Sequence, residues 1–266
     1  MSKRGLSDRR LQGKRALVTG ASGGVGRALA VQLAEAGAES LLIARRAEAL
    51  EETAEMAREA GGRVVTVVGD VANPDDRRRA LDAASAKLGG LDLLINNAGI
   101  GAHGRFHEAS VDRLRQVFEV NFFAAVELTR EALPLLREGR DACVANVGSV
   151  LAWRGVPHTA EYCASKFALR GWCEAIRPEL AKLGVHVLHA SPSTIASDFR
   201  QNLVERLNTV PWADRPGVSP EKVAQRVLHG VARRRNEVAI VWEDWAIVRA
   251  ARFTPWLLDW WLKRHG

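Results

Sequence analysis

At 266 residues, with 47% hydrophobic and 26% charged side chains, the chain can bury a large core without a disulfide or metal staple. Its three cysteines, Cys143, Cys163 and Cys173, are odd in number and lack Cys-x-x-Cys spacing, which argues against a disulfide scaffold or zinc finger and for a reducing, cytoplasmic setting. The net charge of +7 suits an anionic partner, but no groove-reading motif supports nucleic acid, and a phosphate-rich cofactor fits equally well.

Residues 1–13 form a basic tail that reads as a solvated segment, with no apolar stretch of the kind a secretory signal carries. Residues 14–19 are a first strand entering a glycine turn. Val25, Leu29, Leu33 and Ala36 then recur at helical spacing until Gly37. Strands follow at 40–44, 63–69 and 91–95, separated by helices at 48–60 and from Asn73-Pro74 to about Leu88. The second half repeats the rhythm: a long helix, whole or broken in two, over 111–137, then a strand at 142–147. A helix over 161–183, a strand at 185–190, a helix over 219–234 and a strand at 237–241 complete it. Apolar strands separated by helices predict a parallel sheet covered on both faces, a doubly wound α/β (Rossmann) domain spanning 14–241. Residues 242–266 are a tryptophan-rich extension.

The stretch from Thr19 to Gly26 joins the first strand to the first helix. Gly20, Ser22, Gly24, Val25 and Gly26 would let the backbone approach a pyrophosphate, with the helix N-terminus facing the anion. Its spacing departs from G-x-G-x-x-G, and a glycine turn alone also serves tight packing. The second strand ends in Ala44-Arg45-Arg46, with no carboxylate before Glu48. An acid there would serve the ribose hydroxyl of NAD, whereas arginine can grip a 2′-phosphate. The pattern therefore predicts NADP(H), the bland alternative being two exposed charges at a helix start.

Tyr162, the only tyrosine, and Lys166 are four residues apart, hence on one helix face. A phenol titrates near pH ~10, too high for base chemistry at neutrality unless a neighbouring cation lowers it. Taken alone, Y-x-x-x-K is as readily a surface pair. Ser149, at the carboxyl end of the 142–147 strand, falls where open α/β sheets bind ligands and can orient a substrate oxygen.

With these motifs together, the sequence resembles the short-chain dehydrogenase/reductase family from about residue 14 to 241. The matching segments are TGASGGVG at 19–26, DV at 70–71, NNAG at 96–99, Asn121 in FEVNFFA, NVGS ending at Ser149, and YCASK at 162–166. The resemblance implies Tyr162 as acid–base, Lys166 as its electrostatic partner and holder of the nicotinamide ribose, and Ser149 on the substrate oxygen. It implies that Asn121 distorts its helix and holds a water near Lys166. Asp70 and Val71 would lie at the adenine, Asn97 on the ribose side and the Ile195 backbone at the carboxamide, with Asn96 structural. It further implies a small carbonyl or alcohol substrate and a homodimer or homotetramer built on the 111–137 and 160–183 helices. Ser193 stands where the family commonly has glycine after Pro192, which puts the local turn in question.

His186 and His189 fall on opposite faces of a strand, which leaves no metal site there. His158 reads as a loop residue, Trp153 as a pocket wall, and 193–218, with Trp212, as a substrate lid. Trp242, Trp245, Trp256, Trp260 and Trp261 lie among Arg249, Arg252, Lys263 and Arg264, a composition suited to core or oligomer packing and also to a weak membrane-surface contact. An NADP-binding regulator without turnover and an NAD-dependent dehydrogenase of the same fold are the rival readings.

Overall fold

The computed structural model describes residues 10–196, 203–206, 217–254, 256 and 263. Seven strands form one parallel sheet in the order β3-β2-β1-β4-β6-β7-β9. They are β1 Arg15–Thr19, β2 Glu39–Ala44, β3 Val64–Val68, β4 Leu93–Asn96, β6 Cys143–Val147, β7 His186–Ser191 and β9 Glu237–Ala239. The chain runs outward from β1 to β3, then returns to place β4 on the other flank of β1. Between the carboxyl ends of β1 and β4 lies the crevice where such sheets bind ligands.

Each strand is apolar on both faces because each face meets helices. Ala16 and Val18 of β1 join one core with α1 (Gly24–Glu35), α2 (Ala47–Glu59) and α7 (Pro220–Ala232) through Leu29, Leu33, Leu50 and Val227. Leu17, between them in sequence, faces a second core with α3 (Pro74–Ala83), α5 (Ala124–Arg137) and α6 (Ala160–Ala181), through Ala80, Leu128, Leu169 and Cys173. Burying one such leucine is worth about 1.5–3 kcal/mol, so successive residues of β1 stabilise the two cores in turn and neither face can turn to solvent without loss. Helix starts are equally local in origin. Asn73 Oδ1 accepts from the Asp75 amide at 2.9 Å ahead of Pro74, and Ser219 Oγ from the Lys222 amide at 3.3 Å ahead of Pro220.

One charged group is built into the sheet's amino-terminal edge. Asp92 accepts from Arg15 Nη2 at 2.7 Å, Arg15 Nε at 3.0 Å and the backbone amides of Arg15 and Arg140 at 2.9 and 2.7 Å. Burial on its own would raise its pKa, but the Arg15 hydrogen bond and the two amides outweigh it and hold the carboxyl at about 2.

The 111–137 segment is broken. It comprises α4 (Val111–Phe118), a wide π turn over Glu119–Phe123 and α5. Two short strands escaped the sequence reading, β5 (Gly101–His103) and β8 (Leu203–Arg206), which pair in parallel outside the main sheet. Three to four residues without alternation carry no periodic signature. Among the described residues no helix is long and apolar enough to cross a membrane.

The extension begins as α8 (Trp242–Phe253). Trp242, Phe253 and Trp256 are 75%, 68% and 65% exposed, so core packing is not what these rings do within one chain. The side chain of Trp245, and Trp260 and Trp261 altogether, lie outside the described residues, as does Trp212.

Candidate active site

The β1–α1 turn has the geometry of a phosphate cradle. Gly20 adopts φ +66°, and a Cβ there would lie 2.9 Å from the Ala98 Cα; a Cβ on Gly26 would lie 2.2 Å from the Gly20 carbonyl oxygen. Only glycine allows this closeness of turn, helix start and β4 loop. Asn97 fastens the same crevice: its Nδ2 donates to the Thr19 and Gly20 carbonyls at 2.9 and 3.3 Å. Thr19 Oγ1 accepts from the Asn97 and Ala98 amides at 2.9 Å each. The Asn97 side chain thus clamps the two strand ends, a role that its position in NNAG does not reveal. Asn96 is fully internal, donating to Asn146 Oδ1 at 2.9 Å and Thr129 Oγ1 at 3.1 Å.

Both arginines after β2 reach the cradle's rim. Arg46 Nη2 donates to the Ser22 carbonyl at 3.1 Å, and its Nε to Ser22 Oγ at 3.3 Å. Arg45, 62% exposed at its side chain, stands 3.6 Å from Asp70 Oδ2. Asp70 Oδ1 meanwhile accepts from the Ala72 amide at 3.0 Å, and Val71 beside it is buried. Val25 is buried at the start of α1. Arg46 thus borders the cradle at Ser22, and Arg45 stands beside Asp70, with Val71 next to it in sequence.

The second cluster lies across the crevice. Lys166 is buried, and its Nζ donates to the Val147 carbonyl at 3.1 Å and stands 5.7 Å from the centre of the Tyr162 ring. The Tyr162 hydroxyl is hydrogen-bonded with Ser149, whose Oγ also accepts from the Leu151 amide at 3.1 Å. Asn121 sits in the π turn. Its Oδ1 accepts from the Ile100 amide at 2.9 Å, while its Nδ2 donates to the Ile100 carbonyl and Ser165 Oγ at 3.0 Å each. Its Oδ1 and Lys166 Nζ both border Gly99. All four predicted residues are thus brought together, and the helix distortion expected at Asn121 is present.

Electrostatics in this cluster differ from the expectation of a phenol lowered by its lysine. Burial pushes Tyr162 up to about 12, opposed by the Ser149 hydrogen bond, while burial draws Lys166 down to about 8. Desolvation disfavours both charged forms, so in the protein alone the pair leans toward neutral phenol and a weakly held ammonium proton.

Beyond β7, Ile195 bridges Val218 in parallel, and the Ala196 amide donates to the Val218 carbonyl at 2.9 Å. Ser193 is not among the described non-glycine residues with left-handed backbone, which are Asp141, His158 and Arg234, so serine sits there without that strain. His158 is in the loop, with its carbonyl accepting from the Gly104 amide at 2.9 Å. Trp153 donates from Nε1 to Ser191 Oγ at 3.1 Å, and Arg170 stacks 3.5 Å over its ring.

A doubly wound parallel sheet with a glycine cradle at its first turn and a Ser-Tyr-Lys cluster facing it defines a Rossmann-type oxidoreductase architecture. Comparison with known proteins agrees. Residues 14–208 match the short chain dehydrogenase family, and the chain belongs to the short-chain dehydrogenase/reductases, oxidoreductases of alcohol and keto groups. It is 38% identical over 240 residues to 11-beta-hydroxysteroid dehydrogenase 1A of Arabidopsis thaliana, covering 86% of this chain and 68% of that one. It is 29% identical over 239 residues to Retinol dehydrogenase 8 of Bos taurus, covering 85% and 75%. A short chain dehydrogenase/reductase from Burkholderia phymatum, solved in complex with NAD, superposes with a TM-score of 0.82 at 26% identity, covering 90% of this chain and 93% of that one.

Proposed function

We propose that the protein is an NADP(H)-dependent oxidoreductase that interconverts a carbonyl and a secondary alcohol, with Tyr162 as its acid–base. The observation that carries this reading is the Tyr162 hydroxyl on Ser149, with Lys166 Nζ 5.7 Å from the ring, at the carboxyl end of a parallel sheet. Bound NADPH would supply the hydride. Tyr162 gives its proton to the substrate oxygen, Ser149 orients that oxygen through a hydrogen bond, and Lys166 keeps positive charge beside the phenolate as it forms. The cradle at Gly20, Ser22, Gly24, Val25 and Gly26 would hold the pyrophosphate. Asp70, Val71, Asn97 and the Ile195 backbone would border the rest of the dinucleotide, and Lys166 the nicotinamide ribose. Arg45 and Arg46, which follow β2 with no acid before Glu48 in sequence, support a 2′-phosphate over a bare ribose, the relative solved with NAD notwithstanding. NADPH pools favour the reducing direction. The hydroxysteroid and retinol relatives support an apolar alcohol or ketone as substrate.

An exposed apolar stripe on α4, the π turn and α6, with Val111 68%, Leu114 45%, Phe123 44% and Phe167 40% exposed, supports a homodimer or homotetramer through these helices. Trp242, Phe253 and Trp256, also exposed, support a weak membrane-surface contact, tested by co-sedimentation with anionic and neutral vesicles. A reducing, cytoplasmic setting is part of the same reading and rests on three free, buried thiols. The decisive test is Tyr162→Phe in an NADPH-oxidation assay with ketosteroid and retinal substrates. A fall in kcat of about 10²–10⁴-fold is expected. Unchanged turnover overturns the assignment and leaves a cofactor-binding protein without Tyr162 chemistry.

A further inference from the structure

Behind the Ser149–Tyr162–Lys166 cluster lies a second, buried polar chain that the reaction does not use directly. His189 on β7 is 1% exposed, and its Nδ1 is 3.3 Å from Ser191 Oγ. Ser191 Oγ in turn accepts from Trp153 Nε1 at 3.1 Å. The Trp153 ring is covered by Arg170, 3.5 Å away, which is held by Glu174 at 2.7 Å. Arg170 stands one helical turn beyond Lys166 on α6. One chain of contacts therefore joins the three elements that carry the site: the loop after β6, the end of β7 and the middle of α6.

The imidazole's protonation follows from its neighbours. Burial first, then Lys166, Arg170 and Arg177, draws its pKa down to about 3, so the ring is neutral at any working pH. With the indole on one lone pair of Ser191 Oγ, the hydroxyl hydrogen is available to Nδ1, and in that arrangement, the one the latch uses, the ring proton sits on Nε2. That Nε2 occupies the space of an absent side chain: a Cβ on Gly148 would lie 2.1 Å from it. Gly148 separates Val147, whose carbonyl holds Lys166 Nζ, from Ser149. Nε2 has no hydrogen-bond partner among the described residues, a cost of about 1–3 kcal/mol that an apolar residue would avoid.

We infer that His189, Ser191 and Trp153 are positioning residues, a latch that holds the backbone from Val147 to Trp153 so that Ser149 and the Lys166 ammonium keep their places about Tyr162. The inference rests on the oxidoreductase reading for its kinetic consequence, but not for its structural one. Backbone contacts parallel it, since the Gly148 amide donates to the Ala190 carbonyl at 2.8 Å and the Val150 amide to the Pro192 carbonyl at 2.9 Å. Those bonds align the strand ends, and the side-chain latch sets the tilt of the turn that follows.

The experiment combines kinetics with hydrogen exchange on three variants of the full chain. His189→Leu keeps the volume and removes the acceptor. His189→Asn restores an acceptor where Nδ1 stands. Trp153→Phe keeps a smaller ring under Arg170 and removes the N–H donor. His189→Leu and Trp153→Phe are expected to lower kcat about tenfold with the KM for NADPH within twofold. Exchange should rise at least tenfold at the Val150 and Leu151 amides and nowhere else in the sheet. His189→Asn should recover to within about threefold on both readouts. Unchanged kcat and loop exchange in His189→Leu would overturn the latch, as would faster exchange spread evenly over the protein. Localised exchange changes in a protein without turnover on any carbonyl would keep the latch and sink the oxidoreductase reading instead.

Discussion

Asn121 Nδ2 donates to Ser165 Oγ at 3.0 Å, and Ser165 passes its own hydrogen to the Tyr162 carbonyl at 2.8 Å. The π turn is therefore stitched to α6 between Tyr162 and Lys166. The other bonds of Asn121 go to both backbone groups of Ile100, just after β4. One amide side chain ties three segments of the site together. Asn121→Leu deletes three hydrogen bonds, one of them fully buried and two partly, so a stability loss of roughly 2–4 kcal/mol is expected. Urea unfolding measures it, and kcat should fall by at least tenfold in the same preparation.

On the proposed reading, cofactor choice turns on the two arginines at the end of β2. The Arg45→Ala, Arg46→Ala double variant removes charge-assisted hydrogen bonds worth about 1.5–3 kcal/mol each at a phosphate. The KM for NADPH should rise by about 10²-fold, while that for NADH changes less than threefold. An unchanged NADPH-to-NADH preference in steady-state kinetics would remove the 2′-phosphate assignment.

Lys166, lowered by burial to about 8, sets a pH dependence whose sign is fixed. The ammonium is present below about pH 8 and disappears as pH rises through it. Reduction, measured as kcat/KM for NADPH, should be level from pH 6 to 7 and fall tenfold per unit above about 8. A profile still level at pH 10 would show that this ammonium is not needed.

At the far edge of the sheet, Asp92 predicts an acid-sensitive fold. Its carboxyl is depressed to about 2 from an unfolded value near 3.9, which corresponds to roughly 2 kcal/mol. That stability is complete above about pH 5 and lost as pH falls through 2. Asp92→Asn should cost about 3 kcal/mol at pH 7 by leaving Arg15 without its carboxylate, and should flatten the acid limb of the unfolding curve. Thermal melts between pH 2 and 7 compare the two proteins.

Much of this was legible from the residues. Strand runs apolar on both faces, such as Leu17 between Ala16 and Val18, announce a covered parallel sheet before any coordinates. Tyr162, Lys166 and Ser149 were readable because spacing on a helix and position at a strand end are local properties. Three things were not. The clamp made by Asn97 depends on strand neighbours far apart in sequence, the β1–β4 crevice being closed only by the fold. The contacts of the Trp153 indole with Ser191 and Arg170 are hidden because nothing in its own loop foretells either partner. The upward push on Tyr162 comes from desolvation, which a motif cannot express; the ammonium next to it is visible in sequence, the burial of both is not.

The parallel bridge between Ile195 and Val218 separates two kinds of evolutionary freedom. Its hydrogen bonds join the chain on either side of residues 197–217, a stretch whose described strand, β8, pairs with β5 outside the main sheet. Doubling the length of a flexible loop adds only about 0.6 kcal/mol. On the reading of this stretch as a substrate lid, exchanging its residues on either side of β8 for ones of different length and character should shift substrate preference while the melting temperature, with the β5–β8 pairing kept, scarcely moves.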